Sequence, residues 1–173
     1  MGTWAPRVLL REALCLQSRI ALLVREQGLN VTEPRHEDIT WEEWIQSEGE
    51  KRTKFIAYSF FNLHCVAYDM PPLLLTSEIK MTLPYSAKEW KAENARQWRE
   101  LRRTTHQAEI TFHDALARLF FKGPLNPNEA PISSLGNYVL IHALVQQIFF
   151  VRQSSSRAST KSTSTCSLYR PVI

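Results

Sequence analysis

The sequence is poor in the two residues on which most cofactor-binding and metal-binding motifs depend. It has only five glycines and three cysteines among 173 residues. It contains no Gly-rich phosphate loop, no Gly-x-Ser-x-Gly turn around a nucleophilic serine, and no His-Glu-x-x-His zinc motif. Because such motifs supply reacting groups and ligands, their absence predicts a protein that is not an enzyme and holds no cofactor.

The three cysteines do not form a recognisable framework. Cys15, Cys65 and Cys166 are far apart, odd in number, and never arranged as Cys-x-x-Cys. This excludes a zinc finger or a disulfide scaffold as a reading of the sequence. Buried free thiols in a reducing compartment are the simpler expectation.

Charge of one sign and long apolar runs are also scarce. The net charge of +4 comes from 21 basic and 17 acidic residues that are interleaved, which is weak support for nucleic-acid binding. The N-terminal apolar run is broken by Arg7 and Arg11, unlike a signal peptide. The longest apolar stretch, residues 138–151, is short for a bilayer and is interrupted by polar residues. We therefore expect no membrane partner.

Hydrophobic periodicity predicts an all-α protein, an irregular helical bundle. Capping boxes formed by Thr40 with Glu43 and by Ser86 with Glu89 indicate two helix starts. A proline-containing connector is predicted over residues 71–85. The predicted helices cover about residues 6–27, 40–68, 86–98 and 105–122, and a last helix that begins at residue 134 or 137 and ends near 153.

One helical stripe carries an unusual set of side chains. Trp41, Trp44, Glu48, Arg52 and Phe55 share a face at 3.6 residues per turn. Two tryptophans on one stripe are costly in water, and charges among aromatics need a partner. The stripe predicts a helix–helix interface in which a Glu48–Arg52 ion pair fixes the register.

Two further tryptophans, Trp90 and Trp98, lie in a segment with six basic residues. They could stack on bases while the basic residues bind phosphates. Acidic residues between the basic ones, Glu89 among them, favour intrahelical pairs on a charged outer face instead. Anchoring in the core is the favoured role of both tryptophans.

Histidines provide the other site candidates. His106, Glu109 and His113 have i, i+3, i+7 spacing, which could place metal ligands on one helix face. No further ligand is marked, so a solvated helix surface is favoured and no metal is predicted. His64 and Cys65 are adjacent and point apart on a helix, which disfavours a nucleophile pair. His142 is predicted to be a hydrogen-bonded core histidine.

The ordered series of these features resembles a known family. From Trp41 and Trp44 it continues through Pro71-Pro72, Glu78, Leu83-Pro84, Trp90 and Trp98 to Tyr138–Ile148. The series is similar to the fungal-specific transcription factor domain, or middle homology region, over about residues 5–152.

The resemblance implies an all-helical regulatory domain of a fungal zinc-finger transcription factor, acting in the nucleus. In that family the domain does no chemistry and reads no bases, and modulates transcription through protein partners or other segments of the same factor. Zinc is expected only in a DNA-binding segment that this chain lacks, so the chain alone should not bind DNA specifically.

The predicted domain division places a regulatory domain at 1–153 and a disordered tail at 154–173. Residues 154–167 are mostly Ser and Thr and bury too little surface to offset their ordering entropy. Since the resembling family continues with further helices there, we expect a fragment whose last helix exposes apolar residues from about Leu144 to Val151. Such exposure predicts self-association.

A competing hypothesis is a small helical enzyme or effector-binding protein with an aromatic-lined pocket. A deep pocket with convergent polar groups would support that class, and a filled core would support the regulatory domain.

Overall fold

The computed structural model of the chain describes residues 7–30, 39–104, 109–121 and 131–165, with side chains from residue 11 to residue 156 of these ranges. Within them the regular structure is six α-helices, one 3₁₀ turn at Thr76–Glu78 and two isolated β-bridges. The predicted all-α fold class is confirmed. The helices are α1 (Arg7–Glu26), α2 (Trp41–Tyr68), α3 (Ala87–Trp90), α4 (Ala95–Thr104), α5 (Phe112–Phe121) and α6 (Ser134–Thr165).

Helix α2 begins and ends where its local sequence indicates. The Thr40 side chain accepts from the Glu43 N–H at 3.2 Å, and the Glu43 carboxylate accepts from the Thr40 N–H at 3.0 Å. This capping box satisfies two backbone donors that the first turn would leave free. At the other end Asp69 takes a left-handed conformation with φ of 52°, and Pro71 prevents a further turn.

Helices α2 and α6 lie side by side and run in the same direction. Asn62 contacts Gln146, and further along both helices Asp69 contacts Arg152. The main hydrophobic core lies against this pair, and α1 and α5 contribute to it. Its large fully buried members are Phe55, Tyr58, Phe61, Leu74, Ile79, Met81, Phe112 and Val139.

The connector between α2 and α3 forms no α-helix and contains the short 3₁₀ turn. Its backbone bonds to neighbours on two sides: the Lys80 N–H donates to the Leu29 carbonyl, and the Leu83 N–H donates to the Ile110 carbonyl, both at 2.9 Å. These bonds satisfy buried peptide groups that a helix would satisfy internally. The connector thereby fixes α1 and the start of α5 relative to α2.

Two predicted helices have different boundaries in the structure. The helix expected over 86–98 is two helices, because Asn94 interrupts it and caps α4 by accepting from the Gln97 N–H at 2.9 Å. The helix expected from residue 105 begins at Phe112, where the Thr111 side chain accepts from the Asp114 N–H. Residues 105–108 and 122–130 lie outside the described residues.

Helix α6 is longer than predicted. It continues through the expected end near Gln153 to Thr165. Ser154, Ser155 and Ser156 are exposed, and each hydroxyl donates to the carbonyl four residues earlier. The last part of the predicted tail, residues 166–173, lies outside the described residues.

One part of α6 also meets a length and composition test for membrane helices. Among the described residues, Ser134–Ser156 is long and apolar enough to cross a bilayer, a property shared by core helices of soluble proteins. Val139, Ala143 and Gln146 of this stretch are buried in the protein. That burial accounts for the apolar composition of one side of the helix.

Candidate functional site

The most elaborate polar arrangement in the described part of the chain lies where the first half of α2 meets the end of the connector and helices α3 and α4. We call it the ionic junction. It combines packed aromatic rings with buried charges, two features that rarely occur together without a specific arrangement. Its members are Trp44, Glu48, Lys51, Arg52, Tyr85, Glu89, Trp90, Trp98 and Arg102.

The aromatic part of the ionic junction is centred on Trp44. Its side chain is only 3% exposed, and its ring centroid lies 5.4 Å from that of Trp98 and 5.7 Å from that of Tyr85. The indole N–H groups of Trp44 and Trp98 are buried and find no acceptor among the described residues. These tryptophans therefore hold α2 against α4 through packing alone. Trp41 is half-buried at the edge of the same cluster.

The ionic part is centred on Glu48. The predicted pair is present, with Arg52 Nε 2.8 Å from Glu48 Oε1. The same carboxylate oxygen accepts from the Tyr85 backbone N–H at 3.0 Å, and the Arg52 guanidinium donates to the Tyr85 carbonyl at 2.7 Å. The pair on α2 therefore binds both backbone groups of one connector residue, and this fixes the connector on the helix.

Lys51 is one of the members of the junction that the sequence did not indicate. It is 1% exposed, lies 3.3 Å from Glu48 Oε2, and donates to Thr82 Oγ1 at 2.9 Å. Its ammonium group also lies 4.8 Å from the centroid of the Tyr85 ring, within cation–π range. The i, i+3 spacing from Glu48 was the available signal, but it does not by itself indicate burial.

Burial changes the acid–base properties of two carboxyl groups here. It raises the pKa of Glu48, while Lys51 and Arg52 act in the opposite direction. Burial likewise raises the pKa of Glu89, against a hydrogen bond from Ser86. Glu89 was expected on a charged outer face, and that expectation is wrong because its side chain is 1% exposed and turned toward α2.

Phe55 and Trp90, two of the residues predicted to lie in helix–helix contacts, have different surroundings. Phe55 belongs to the main core, where its ring centroid is 5.8 Å from that of Phe112. Trp90 remains partly exposed, and the Cζ atom of the Arg52 guanidinium lies 4.7 Å from the centroid of its ring. The stripe on α2 therefore joins two separate clusters, and Trp90 is the aromatic of the junction that reaches the surface.

Glu109 and His113, the two described members of the histidine cluster, do not share a helix face. Glu109 precedes α5 and accepts a hydrogen bond from the Tyr85 hydroxyl, while His113 is exposed on α5. His106 lies outside the described residues. The premise of one continuous helix through all three positions is therefore wrong, because Thr111 begins a new helix.

The remaining histidine and cysteine candidates occupy packed or isolated positions. The Nδ1 atom of His142 is buried without a hydrogen-bond partner in the described chain, and burial lowers the His142 pKa. The expected hydrogen bond is therefore missing at that nitrogen, and the ring packs on Tyr138.

Cys65 is buried, which raises its thiol pKa and disfavours a thiolate. Cys15 is exposed, contrary to the expectation of burial, and Cys166 lies outside the described residues.

A second polar arrangement, unmarked in the sequence, links α2, the connector and α6. The Gln146 amide donates to Asn62 Oδ1 at 2.7 Å and to the Leu74 carbonyl at 2.9 Å, and its oxygen accepts from Thr76. The Thr76 hydroxyl also bonds to the Tyr58 hydroxyl. The Asn62 Nδ2 atom is buried without a partner among the described residues, and the remaining bonds of this buried network fix the relative position of three segments. No local spacing could indicate it, since Asn62 and Gln146 are 84 residues apart.

The ionic junction is filled. The cavity among its residues has a volume of about 10 Å³, which is close to the space for one water molecule. A drug-sized ligand needs a cleft of several hundred Å³, so the junction offers no room for a substrate or effector. Its chemistry is that of a fixed structural joint.

Comparisons with known proteins agree with the resemblance. A family model described as the fungal specific transcription factor domain matches residues 14–169. No curated protein and no solved structure matches the chain. The match includes the ionic junction, all of helices α2 to α6 and most of α1.

Proposed function

The chain belongs to the fungal specific transcription factor domain family, and on that premise we propose how it regulates transcription. It is a regulatory domain of a transcription factor. Our proposal is that it acts in the nucleus, beside the zinc-finger segment of a fungal factor, and reads no bases itself. It would modulate transcription by binding protein partners or other segments of that factor.

The filled ionic junction is the observation that supports this proposal. Glu48 and Arg52 hold the backbone of Tyr85, and the tryptophans of α2 and α4 pack together beside them. A site for chemistry or for an effector would keep an opening, whereas this one has almost none. The arrangement suits a scaffold that presents α3 and α4 at a fixed angle to a partner.

Trp90 marks where a partner would contact the junction. It is partly exposed, it covers Arg52, and it ends the short helix α3. Aromatic residues whose rings are held by neighbours contribute strongly to protein interfaces. A partner segment that covers Trp90 would therefore also be coupled to the position of α2.

A reporter assay tests the proposal. The chain is placed between a heterologous DNA-binding domain and an activation domain, and transcription is compared with the same fusion lacking the chain. We expect the chain to change the output and Trp90→Ala to remove most of that change. Phe121→Ala is a suitable control, because Phe121 is exposed and far from the junction in sequence. An output that is the same with and without the chain would refute the regulatory role.

A further inference from the structure

Two neighbouring helices carry long segments without charge. No Asp, Glu, Lys or Arg occurs from Phe55 to Tyr68 on α2, or from Ser134 to Val151 on α6. One side of each segment packs into the core, which accounts for apolar residues there. The opposite sides face water, where helices normally carry charged residues. Core packing does not explain why these sides also lack charge.

The exposed apolar residues of both helices follow a helical spacing of four and three. On α2 they are Ile56, Phe60 and Leu63, with Val66 beside them, and on α6 they are Ile141 and Ile148, with the half-buried Val145 between them. Ile141 is 57% exposed and Ile148 is 67% exposed. We call these seven residues the outer apolar face. Side chains at this spacing form a ridge that interlocks with the side chains of a neighbouring helix.

The two stripes form a continuous surface. Val66 of α2 and Val145 and Ile148 of α6 line one shallow hollow of about 220 Å³ on the outside of the protein. Because α2 and α6 run in the same direction, the stripes continue side by side from this hollow. The hollow is bounded at one end by Arg152, which pairs with Asp69.

We propose that the outer apolar face is a homodimer interface, in which a second copy of this chain packs on the same face across a two-fold axis. The two α2–α6 pairs would form a four-helix layer with the stripes interlocked. Six exposed side chains of ~100 Å² each would bury ~600 Å² per copy, about three quarters of the ~800 Å² per partner of a standard interface.

The absence of charge favours a second copy over a different protein. A two-fold contact places each patch against itself, so any charge near the axis would face its own copy and repel it. The outer apolar face is charge-free over its whole length and has the Arg152–Asp69 pair at one edge. A partner recognised by charge would need complementary groups that this face does not carry.

Sedimentation velocity on the full chain tests the inference. Interfaces of this size bind with Kd values from µM to pM, so the chain at about 100 µM should be a dimer. Leu63→Glu and Ile148→Glu each place a charge on the outer apolar face and should weaken dimerisation at least tenfold. Leu23→Glu is the matched control, because Leu23 is an equally exposed leucine on α1 and should leave the dimer intact.

Three outcomes would overturn the inference. The first is a wild-type chain that stays monomeric at about 100 µM, a concentration well above the Kd range of such interfaces. The second is a dimer that both glutamate variants leave intact while circular dichroism shows them folded. The third is a monomer that floats with phosphatidylcholine vesicles, since this would assign the face to a lipid surface. Loss of the dimer only in Leu63→Glu and Ile148→Glu would support it.

Discussion

Lys51 and Lys54 are buried on α2, although lysine is among the residues least often buried. The Lys51 ammonium group lies beside Glu48 and Thr82, and the Lys54 ammonium group lies 3.5 Å from the Gln27 carbonyl just past α1. A helix C-terminus carries partial negative charge that stabilises a cation. Each lysine is therefore satisfied by a group outside its own helical turn.

The burial of Trp44 leads to the first prediction. Trp44→Ala should lower the free energy of unfolding by ~3–5 kcal/mol, because it removes a large ring from a packed cluster and leaves a cavity. Trp41→Ala should cost less, since Trp41 is only half-buried. Urea denaturation of both variants measures the difference. A loss below ~1 kcal/mol for Trp44→Ala would be typical of a surface position and would contradict the packing argument.

The second prediction concerns the pair of Glu48 and Arg52. Glu48→Met should destabilise the protein more than Arg52→Met, because the first change leaves the buried Lys51 ammonium without its carboxylate, whereas the second leaves Glu48 with Lys51 and the Tyr85 N–H. A double-mutant cycle should give a coupling of ~0.5–3 kcal/mol. Lys51 is kept in every variant. Zero coupling would show that Lys51 and Tyr85 alone hold the carboxylate.

Glu89 gives a prediction about pH. Its pKa is raised in the folded protein by burial, so the folded state keeps a proton that the unfolded state has released. The free energy of unfolding should therefore fall as the pH rises from the ordinary range of a glutamate through the raised pKa. Glu89→Gln should flatten this fall, whereas Glu93→Gln at an exposed position should not. Urea midpoints from pH 4 to 7 measure both slopes.

At the scale of elements, the short helices show how far local signals extend. Caps at Asn94 and Thr111 divide the region into α3, α4 and α5, and both cap residues are visible in the sequence. Hydrophobic periodicity predicts longer helices here, because a helical pattern continues across an interruption of a few residues. The caps decided the boundaries, because their side chains satisfy backbone N–H groups in the first turn of each helix. The hydrophobic pattern carries no information about those groups.

The Ser/Thr-rich part of α6 carries the fourth prediction. Ser154–Ser156 are exposed, so this part of the helix gains little from the core. Removing residues 154–173 should change the free energy of unfolding by less than ~0.5 kcal/mol, as for surface changes. Amide hydrogen exchange should be fast over 154–165, because helical turns without tertiary packing open with little cost. Strong protection there would indicate contacts that anchor the extension.

At the scale of the whole molecule, the fifth prediction concerns zinc and DNA. The purified chain should contain less than stoichiometric zinc and should show no sequence preference in DNA binding at physiological salt. In the described residues no group of histidine, cysteine and acidic side chains is close enough to hold a metal. Metal analysis and gel-shift measurements test both statements. Stoichiometric zinc that is lost in His106→Ala and His113→Ala would contradict the prediction.

The sequence by itself determined what depends on residues three or four apart. The all-α class, the bounds of α2, the capping box at Thr40 and the Glu48–Arg52 pair all follow from helix geometry and from the cost of exposing apolar or unpaired charged groups. The resemblance to the family rested on the same local features in order. The same local features therefore indicated the family whose model matches the chain.

Only the tertiary structure decided which polar groups are inside. Lys51 meets Thr82 31 residues away, and Gln146 meets Asn62 84 residues away, so no local window contains both partners. Glu89 is buried because α3 folds back onto α2, not because of its own neighbours. The outer apolar face likewise arises only when α6 lies beside α2. Long-range packing chooses among faces that are locally equivalent, and this choice separates a joint inside the protein from a surface available to a partner.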